Sequence, residues 1–234
     1  MTARELVLVA ALTSPALAWS APSLADATDT GAPHRAGASP SDAREEKREA
    51  LDGPKLDALL ADVAKARKNV KTLRAAFTQE RRIALLATSV KSRGELMFGA
   101  PDRLRWDLAP PDDVVYFIGP EGLSYKTKTS TATVPAGGAD VARALGDLRA
   151  LLTGDLASLR GRYTLSASRG AGDVEVSGVA KDTKASVKSF TLLLDKGLVI
   201  PIRAGLLEGK RDRVDLAFSN VVVDGPIDPA RLRP

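Results

Sequence analysis

The sequence offers few side chains that could assemble a catalytic or metal-binding site. It contains no cysteine, and His34 is its only histidine. A Ser-His-Asp triad, a Cys-His pair and a histidine-rich metal site each need one of these residue types beside other functional groups. Paired carboxylates could serve in acid–base chemistry, but Asp112 with Asp113 and Asp173 with Glu175 are more typical of a solvated turn and of a strand face. The residue types therefore predict a protein that is not an enzyme and holds no metal or cofactor.

Two glycine-containing motifs also fail to match catalytic or phosphate-binding loops. Gly-Leu-Ser-Tyr-Lys at 122–126 is not a nucleophile elbow. Arg-Gly-Ala-Gly at 169–172 lies between two predicted strands with no helix after it, which is typical of a turn and not of a phosphate loop. An enzyme that acts on an envelope polymer through its carboxylates stays open as a minor alternative.

The first residues have the three parts of a secretory signal peptide. Arg4 is followed by an apolar run from Leu6 to Ala18 and then by small residues up to Ala25. The apolar run is too short to span a bilayer of roughly 30 Å as a permanent helix. Residues 1–25 are therefore predicted to be a signal peptide that directs the chain to the periplasm. Because no cysteine is available for lipid attachment, the mature protein is expected to be soluble.

The next block has the composition of a disordered linker. Gly, Ala, Pro, Ser, Asp and Glu dominate residues 26–53, and large apolar side chains are almost absent. The single histidine, His34, lies in this block, which favours a solvated loop residue over a ligand or a general base.

Residues 54–234 are long enough for one domain with a sizeable core. Residues 1–25 are neutral and residues 26–53 carry four basic and seven acidic side chains, so the domain has a net charge of +8, against +5 for the whole chain. This charge favours an anionic partner. The basic residues are dispersed and have no stacked aromatics among them, so we expect no nucleic acid.

The periodicity of the domain predicts a mainly β (α+β) fold. An amphipathic helix opens it, with apolar residues at spacings of three, four and seven: Leu56, Leu59, Leu60, Val63, Val70 and Leu73. Short extended runs separated by turn residues follow. We predict strands at Ala76–Leu85, Val90–Phe98, Arg103–Leu108, Val114–Ile118, Gly122–Thr127, Arg162–Ser168, Asp173–Val179, Val187–Leu194, Val199–Leu207 and Arg213–Val223.

Period-two alternation divides these strands into an apolar face and a polar face. Leu104, Trp106 and Leu108 share one face of their strand, and Arg103 and Arg105 share the other. The same alternation places Leu96 with Phe98, and sets Val115 and Phe117 opposite Val114, Tyr116 and Ile118. A second predicted helix, Ala139–Leu152, would cover part of the apolar face with Val141, Ala142, Leu145, Leu148 and Leu152. Taken alone, these side chains are also consistent with an ordinary core.

Short motifs follow the first predicted helix in a distinctive order. Phe-Thr-Gln at 77–79 comes first, then Gly-Glu-Leu-Met-Phe at 94–98, then Pro-Asp-Arg-Leu-Arg-Trp-Asp at 101–107, with prolines at 110–111. In order and spacing they resemble the LolA family of outer-membrane lipoprotein carriers, in which an F-x-Q strand follows the first helix and a G-x-L strand leads into a proline and an aromatic-bearing strand. The segment 227–234 also resembles the end of that family.

This resemblance implies an unclosed half-barrel of antiparallel strands whose concave apolar face is covered by helices and binds acyl chains. The expected function is a periplasmic carrier or chaperone that delivers acylated lipoprotein or lipid cargo toward the outer membrane. Its partners would be an inner-membrane exporter and an outer-membrane acceptor, and the carrier itself would be a monomer. Trp106 falls on the family's cavity-side tryptophan. The predicted ligand-binding residues are Phe77, Leu96, Phe98, Leu104, Trp106, Leu108, Leu145 and Leu148.

One position departs from the family pattern. Ala100 stands before Pro101, where the family usually has an arginine implicated in the closed state and in cargo transfer. Arg103 and Arg105 are nearby, but alternation places them on the face away from Trp106. The departure leaves open a relative that serves another lipid or an export system instead of the standard lipoprotein hand-over. A separate alternative is that the same fold serves as a periplasmic sensor or regulatory binding module.

Overall fold

Twelve strands form one antiparallel sheet among the residues that the computed structural model describes, which are 48–86, 88–120, 122–135, 147, 150, 151, 153–209 and 211–234. The strands are β1 (Glu49–Leu51), β2 (Thr72–Ile83), β3 (Thr88–Gly99), β4 (Arg103–Leu108), β5 (Val114–Gly119), β6 (Gly122–Lys126), β7 (Thr131–Pro135), β8 (Tyr163–Arg169), β9 (Asp173–Ala180), β10 (Val187–Asp195), β11 (Pro201–Glu208) and β12 (Asp212–Val223). Helix α1 spans Pro54–Arg67, and 3-10 turns lie at Ala84–Leu86, Leu156–Gly161 and Pro229–Leu232.

The sheet is unclosed, with the order β1-β8-β9-β10-β11-β12-β2-β3-β4-β5-β6-β7. Strands β2 to β7 form one meander and strands β8 to β12 form another. The two meanders meet where β12 pairs with β2, in a register that sets Phe218 opposite Phe77. The predicted fold class, a mainly antiparallel unclosed sheet with few helices, is confirmed.

One face of this sheet, which we call the inner face, carries two apolar clusters. Strand β4 shows the alternation that creates the inner face. Every second residue of the strand is buried, from Leu104 through Trp106 to Leu108. The helix-side cluster joins strands β1, β8, β9 and β10 to α1. The tryptophan cluster joins strands β2 to β6 and β12. Ala204 and Leu206 of β11 pack against both clusters.

Helix α1 begins and ends where its sequence provides the usual signals. Pro54 occupies the first turn, Asp57 adds a negative charge there, and Lys65 and Arg67 add positive charge to the last turn. Its buried stripe lies on the helix-side cluster and consists of Leu56, Leu59, Leu60 and Val63.

The sequence extended the stripe of α1 too far. The helix ends at Arg67, and Leu73 belongs to β2, where it is buried in the tryptophan cluster. Leu73 fits the helical spacing by coincidence. In the structure it belongs to the two-residue alternation of β2, in which Leu73, Ala75 and Phe77 are buried on one face.

The predicted linker boundary at Gly53 is also wrong. Residues 49–51 form β1, which pairs with β8, and Leu51 is buried. Arg48 forms an ion pair with Asp173 at 2.7 Å and donates a hydrogen bond to Ser168. The burial of Leu51, the contacts of Arg48 and backbone pairing with β8 hold this strand, and the composition of the linker does not reveal them as a pattern. The predicted signal peptide and His34 lie outside the described residues.

The ten predicted strands all correspond to strands; β4 has the predicted bounds, the other nine differ at one or both ends, and β1 and β7 were missed. Of the predicted helix Ala139–Leu152, the described positions 147, 150 and 151 are helical, as is 153. No helix in the described part of the chain has the length and apolar character needed to cross a membrane.

Candidate functional site

Six of the eight predicted ligand-binding residues meet in the tryptophan cluster. Strand β2 contributes Phe77, β3 contributes Leu96 and Phe98, and β4 contributes Leu104, Trp106 and Leu108; each is at most 6% exposed. Pairing of β3 with β4 sets Leu96 opposite Trp106 and Phe98 opposite Leu104. The remaining two, Leu145 and Leu148, lie outside the described residues.

An aromatic pair forms the centre of the cluster. The ring centroids of Phe77 and Trp106 are 4.3 Å apart with the ring planes at 40°. Gly94 lies opposite Phe77 in the sheet, and a Cβ added there would be 2.7 Å from Phe77 Cζ and would overlap the carbonyl oxygen of Asp107. The glycine of the G-x-L motif therefore makes room for the Phe77 ring to reach Trp106.

The Trp106 indole places a polar atom in the apolar cluster. Trp106 Nε1 is buried and has no hydrogen-bond partner among the described residues. A buried tryptophan N–H usually donates to a partner, since leaving it unpaired costs free energy. The cluster thus contains one donor that an acceptor on a bound molecule can satisfy.

The cluster also contains residues that the sequence did not assign to a site. Tyr116 and Ile118 of β5 were placed on one face but not linked to Trp106. Val214 and Leu216 of β12 come from the far end of the chain, and only the β12–β2 pairing brings them to Phe77. The added members are Leu73, Ala75, Val114, Tyr116, Ile118, Leu123, Val214 and Leu216.

Beyond the tryptophan cluster, the inner face becomes polar at one end. Along β2 the inner positions after Phe77 are Gln79, which is buried, and Arg81. On β11 the inner positions after Leu206 lead to Glu208, which is 4% exposed. Burial raises the pKa of the Glu208 carboxyl, Arg81 opposes the rise, and Asp212 adds to it. This polar end was not identified from the sequence. The two-residue alternation that runs through Phe77 and through Ala204 nevertheless places Arg81 and Glu208 on the inner face.

A buried arginine fixes the end of α1. Arg67 is 7% exposed and donates hydrogen bonds to the carbonyl oxygens of Leu151 at 2.9 Å, Leu198 at 3.2 Å and Val199 at 2.9 Å. Burial lowers its pKa to about 10, and the negative charge of Asp195 opposes that shift. Because this pKa is still well above 7, Arg67 stays charged and holds the helix to the β10–β11 turn.

The opposite, outer face of the N-terminal meander is basic. Arg105 lies 5.3 Å from the ring centroid of Phe117 and forms an ion pair with Asp107 at 2.9 Å. Arg231 contacts Glu95 at 3.3 Å. These side chains border a groove of about 430 Å³, lined by Arg105, Val115, Phe117, Lys126, Ala230, Arg231, Arg233 and Pro234. We call it the outer basic groove; it lies across the sheet from Trp106.

The chemistry of these surfaces is that of binding. The tryptophan cluster offers apolar area with a donor, Trp106 Nε1, that is unpaired in the described part of the chain, and the outer basic groove offers positive charge. Within the described residues, no group of three or more His, Cys, Asp or Glu side chains is arranged to hold a metal ion.

Comparison with known proteins gives one family match. The family model described as "Outer membrane lipoprotein carrier protein LolA" matches residues 68–232, which is more than half of the chain. No curated protein matches the sequence.

Solved structures with a similar fold include a LolA superfamily protein from Nitrosomonas europaea, at 8% identity and a TM-score of 0.40, covering 76% of this chain and 97% of that one. A putative outer membrane lipoprotein-sorting protein domain from Vibrio parahaemolyticus has 11% identity and a TM-score of 0.41, covering 74% and 94%. The MucA/MucB complex from Pseudomonas aeruginosa has 15% identity and a TM-score of 0.44, covering 76% of this chain and 60% of that one.

Proposed function

The chain belongs to the LolA family of outer membrane lipoprotein carrier proteins, and from this premise we propose that it is a periplasmic carrier for acylated cargo. In this proposal the tryptophan cluster binds the acyl chains of a lipoprotein or another lipid. An inner-membrane exporter loads the carrier, and an outer-membrane acceptor receives the cargo. The carrier needs no catalytic group of its own.

The observation that carries the proposal is the tryptophan cluster itself. It forms a continuous apolar surface across strands β2 to β6 of an unclosed sheet, with the Phe77–Trp106 pair at its centre. Each methylene that an acyl chain buries there stabilises the complex by roughly 0.8 kcal/mol. This burial compensates for the apolar environment that the chain loses when it leaves a membrane, so the carrier can take it across water.

Loading and release follow from differences in affinity. The six predicted residues of the cluster are already buried, so an acyl chain must displace the side chains that pack on them. Binding therefore includes a change of conformation, and the cargo moves on because the acceptor binds it more tightly than the carrier does. We propose that the side chains displaced by the acyl chain belong to the predicted helix with Leu145 and Leu148.

Trp106 provides a direct test of acyl binding. The chain has two tryptophans, and Trp19 lies in the predicted signal peptide. The fluorescence of the mature protein, or of the full chain with Trp19→Phe, therefore reports Trp106 alone. We expect a brominated fatty acid to quench it in a saturable way and the unbrominated acid to restore it. As a control, Trp106→Phe with Tyr163→Trp moves the reporter to the helix-side cluster, where we expect no quenching.

Mass spectrometry provides the second measurement. Protein purified from the periplasm should release extractable acylated material. A protein that carries no such material and shows no quenching of Trp106 is not an acyl carrier.

The outer basic groove favours a second candidate, a regulatory module that binds an acidic protein segment. Lys126 and Arg233 line the groove beside Arg105. Charge reversal by Lys126→Glu should then abolish binding of an acidic peptide without changing the quenching of Trp106. A stable protein partner in place of lipid would favour this candidate over the carrier.

A further inference from the structure

Glu208 and Arg81 lie on the inner face, one step beyond the tryptophan cluster. The register of β11, β12 and β2 sets Leu206 opposite Val214 and Val214 opposite Arg81, and residues opposite each other share a face. Val214 belongs to the cluster and is fully buried. Glu208 follows Leu206 by two residues, so it faces the same side.

The edge of this region opens to solvent. Val90 lies opposite Arg81 on β3 and is 43% exposed, although it shares the inner face with Leu96 and Phe98. Arg81 and Glu208 thus stand between the buried apolar cluster and an exposed end of the sheet.

The carboxylate of Glu208 is buried. Both of its oxygens have no solvent contact and no hydrogen bond among the described residues, and the same holds for Nε of Arg81. Asp212, which lies opposite Glu208, is already engaged, because its Oδ1 accepts a hydrogen bond from the Ala84 N–H at 3.0 Å. Buried carboxylates are almost always hydrogen-bonded, since an unpaired one loses its hydration without compensation.

We propose that Glu208 and Arg81 form a recognition site for a secondary amide attached to the acyl chain of the cargo. The amide N–H donates to the Glu208 carboxylate, and its carbonyl oxygen accepts from Arg81. This inference rests on the proposed function, because the acyl chain lies in the tryptophan cluster while the amide reaches the polar end.

An amide fits this site better than a charged head group does. It is uncharged, so it enters a buried site at a lower desolvation cost than a zwitterion. It also carries one donor and one acceptor on adjacent atoms, which matches one carboxylate and one guanidinium. An ester of the same shape keeps the carbonyl but has no N–H for Glu208.

The test compares N-ethyldodecanamide with ethyl dodecanoate, in which an ester oxygen replaces the amide N–H. Both are titrated against the Trp19→Phe chain with Trp106 fluorescence as the readout. We expect Glu208→Leu to reduce the affinity for the amide relative to the ester by about tenfold or more, which corresponds to about 1.4 kcal/mol. Arg81→Met should weaken both ligands by similar factors, since both present a carbonyl.

A structural role for Glu208 predicts a different result. If Glu208 served only to pair with Arg81, Glu208→Leu would lower the melting temperature and leave the amide-to-ester ratio unchanged. That outcome overturns the recognition site while leaving acyl binding, and with it the proposed function, intact. A chain that binds neither ligand overturns both.

Discussion

The two apolar clusters of the inner face are built alike but completed differently. Each contains an aromatic pair: Tyr163 with Phe190 at 5.2 Å in the helix-side cluster, and Phe77 with Trp106 at 4.3 Å in the tryptophan cluster. The Tyr163 hydroxyl donates to Asp147 at 3.1 Å, whereas the Trp106 indole N–H has no partner among the described residues. Buried polar groups usually have hydrogen-bond partners, so this N–H separates the two clusters and is the feature on which our proposal of a ligand site in the tryptophan cluster draws.

The charged residues of the two clusters differ in the same way. Arg67, beside the helix-side cluster, donates to three carbonyl oxygens. Glu208, beyond the tryptophan cluster, has neither carboxylate oxygen bonded within the described part of the chain. Arg67 therefore holds α1, whereas no hydrogen bond within the described residues gives the Glu208 carboxylate a structural role.

The largest expected difference between the clusters comes from their glycines. An added Cβ at Gly94 would overlap the Asp107 backbone oxygen, while at Gly178 it would meet the Phe190 side chain, with Cζ at 2.7 Å. A side chain can rotate away from an added Cβ, whereas a backbone atom in a paired strand cannot. We expect Gly94→Ala to cost more than about 4 kcal/mol of unfolding free energy and Gly178→Ala to cost about 1–3 kcal/mol.

Chemical denaturation measures the unfolding free energy of both variants. Gly161→Ala is the control, because a Cβ added there meets nothing within 4 Å. Equal losses for Gly94→Ala and Gly178→Ala would contradict the tighter backbone approach in the tryptophan cluster.

Replacing one leucine in each cluster with alanine separates the effect on stability from the effect on ligand binding. Leu104 and Leu194 are at most 2% exposed, so replacing either with alanine should cost about 2–5 kcal/mol through lost burial and a cavity. Leu104→Ala alone should also weaken acyl binding by about tenfold, or about 1.4 kcal/mol. Equal binding losses in the two variants would mean that the clusters do not differ in ligand contact.

Removing the arginine tests the helix-side cluster from its polar side. Arg67→Met keeps much of the side-chain volume but leaves three carbonyl oxygens without their donor. We expect a loss of about 2–4 kcal/mol in unfolding free energy, since each such bond to a charged group contributes roughly 1.5–3 kcal/mol and water recovers part of it. Trp106 quenching by a brominated acid, measured below the melting transition, should not change.

The smallest effect concerns pH. Because the folded-state pKa of Glu208 is raised, its contribution to stability is fully present below the unfolded pKa and is lost as the pH rises through the folded pKa. Glu208→Gln removes this dependence. The melting temperature of the variant should therefore exceed that of the parent chain increasingly as the pH rises from about 4 to 7, by roughly 2–4 °C for each kcal/mol. A constant difference across this range would mean that Glu208 titrates normally in the folded protein.

Sequence alone predicted the parts of the site that depend on local periodicity. Alternation in β4 identified Leu104, Trp106 and Leu108, and the motif order identified Phe77 and Leu96 beside them. It failed where a local pattern was ambiguous or absent. Leu73 fits both a helical and a two-residue spacing, and β1 contains one apolar residue whose burial depends on the edge of β8.

The sequence thus determined which side chains share a face, because the facing of a residue in a strand follows from its neighbours along the chain. Only the tertiary structure decided which faces meet. Glu208 and Arg81 lie far apart in the sequence, and they share one end of the inner face because β12 pairs with both β11 and β2. Such pairings join residues through hydrogen bonds between distant backbones, which carry no side-chain signature, so the polar end of the site could not be predicted from the sequence.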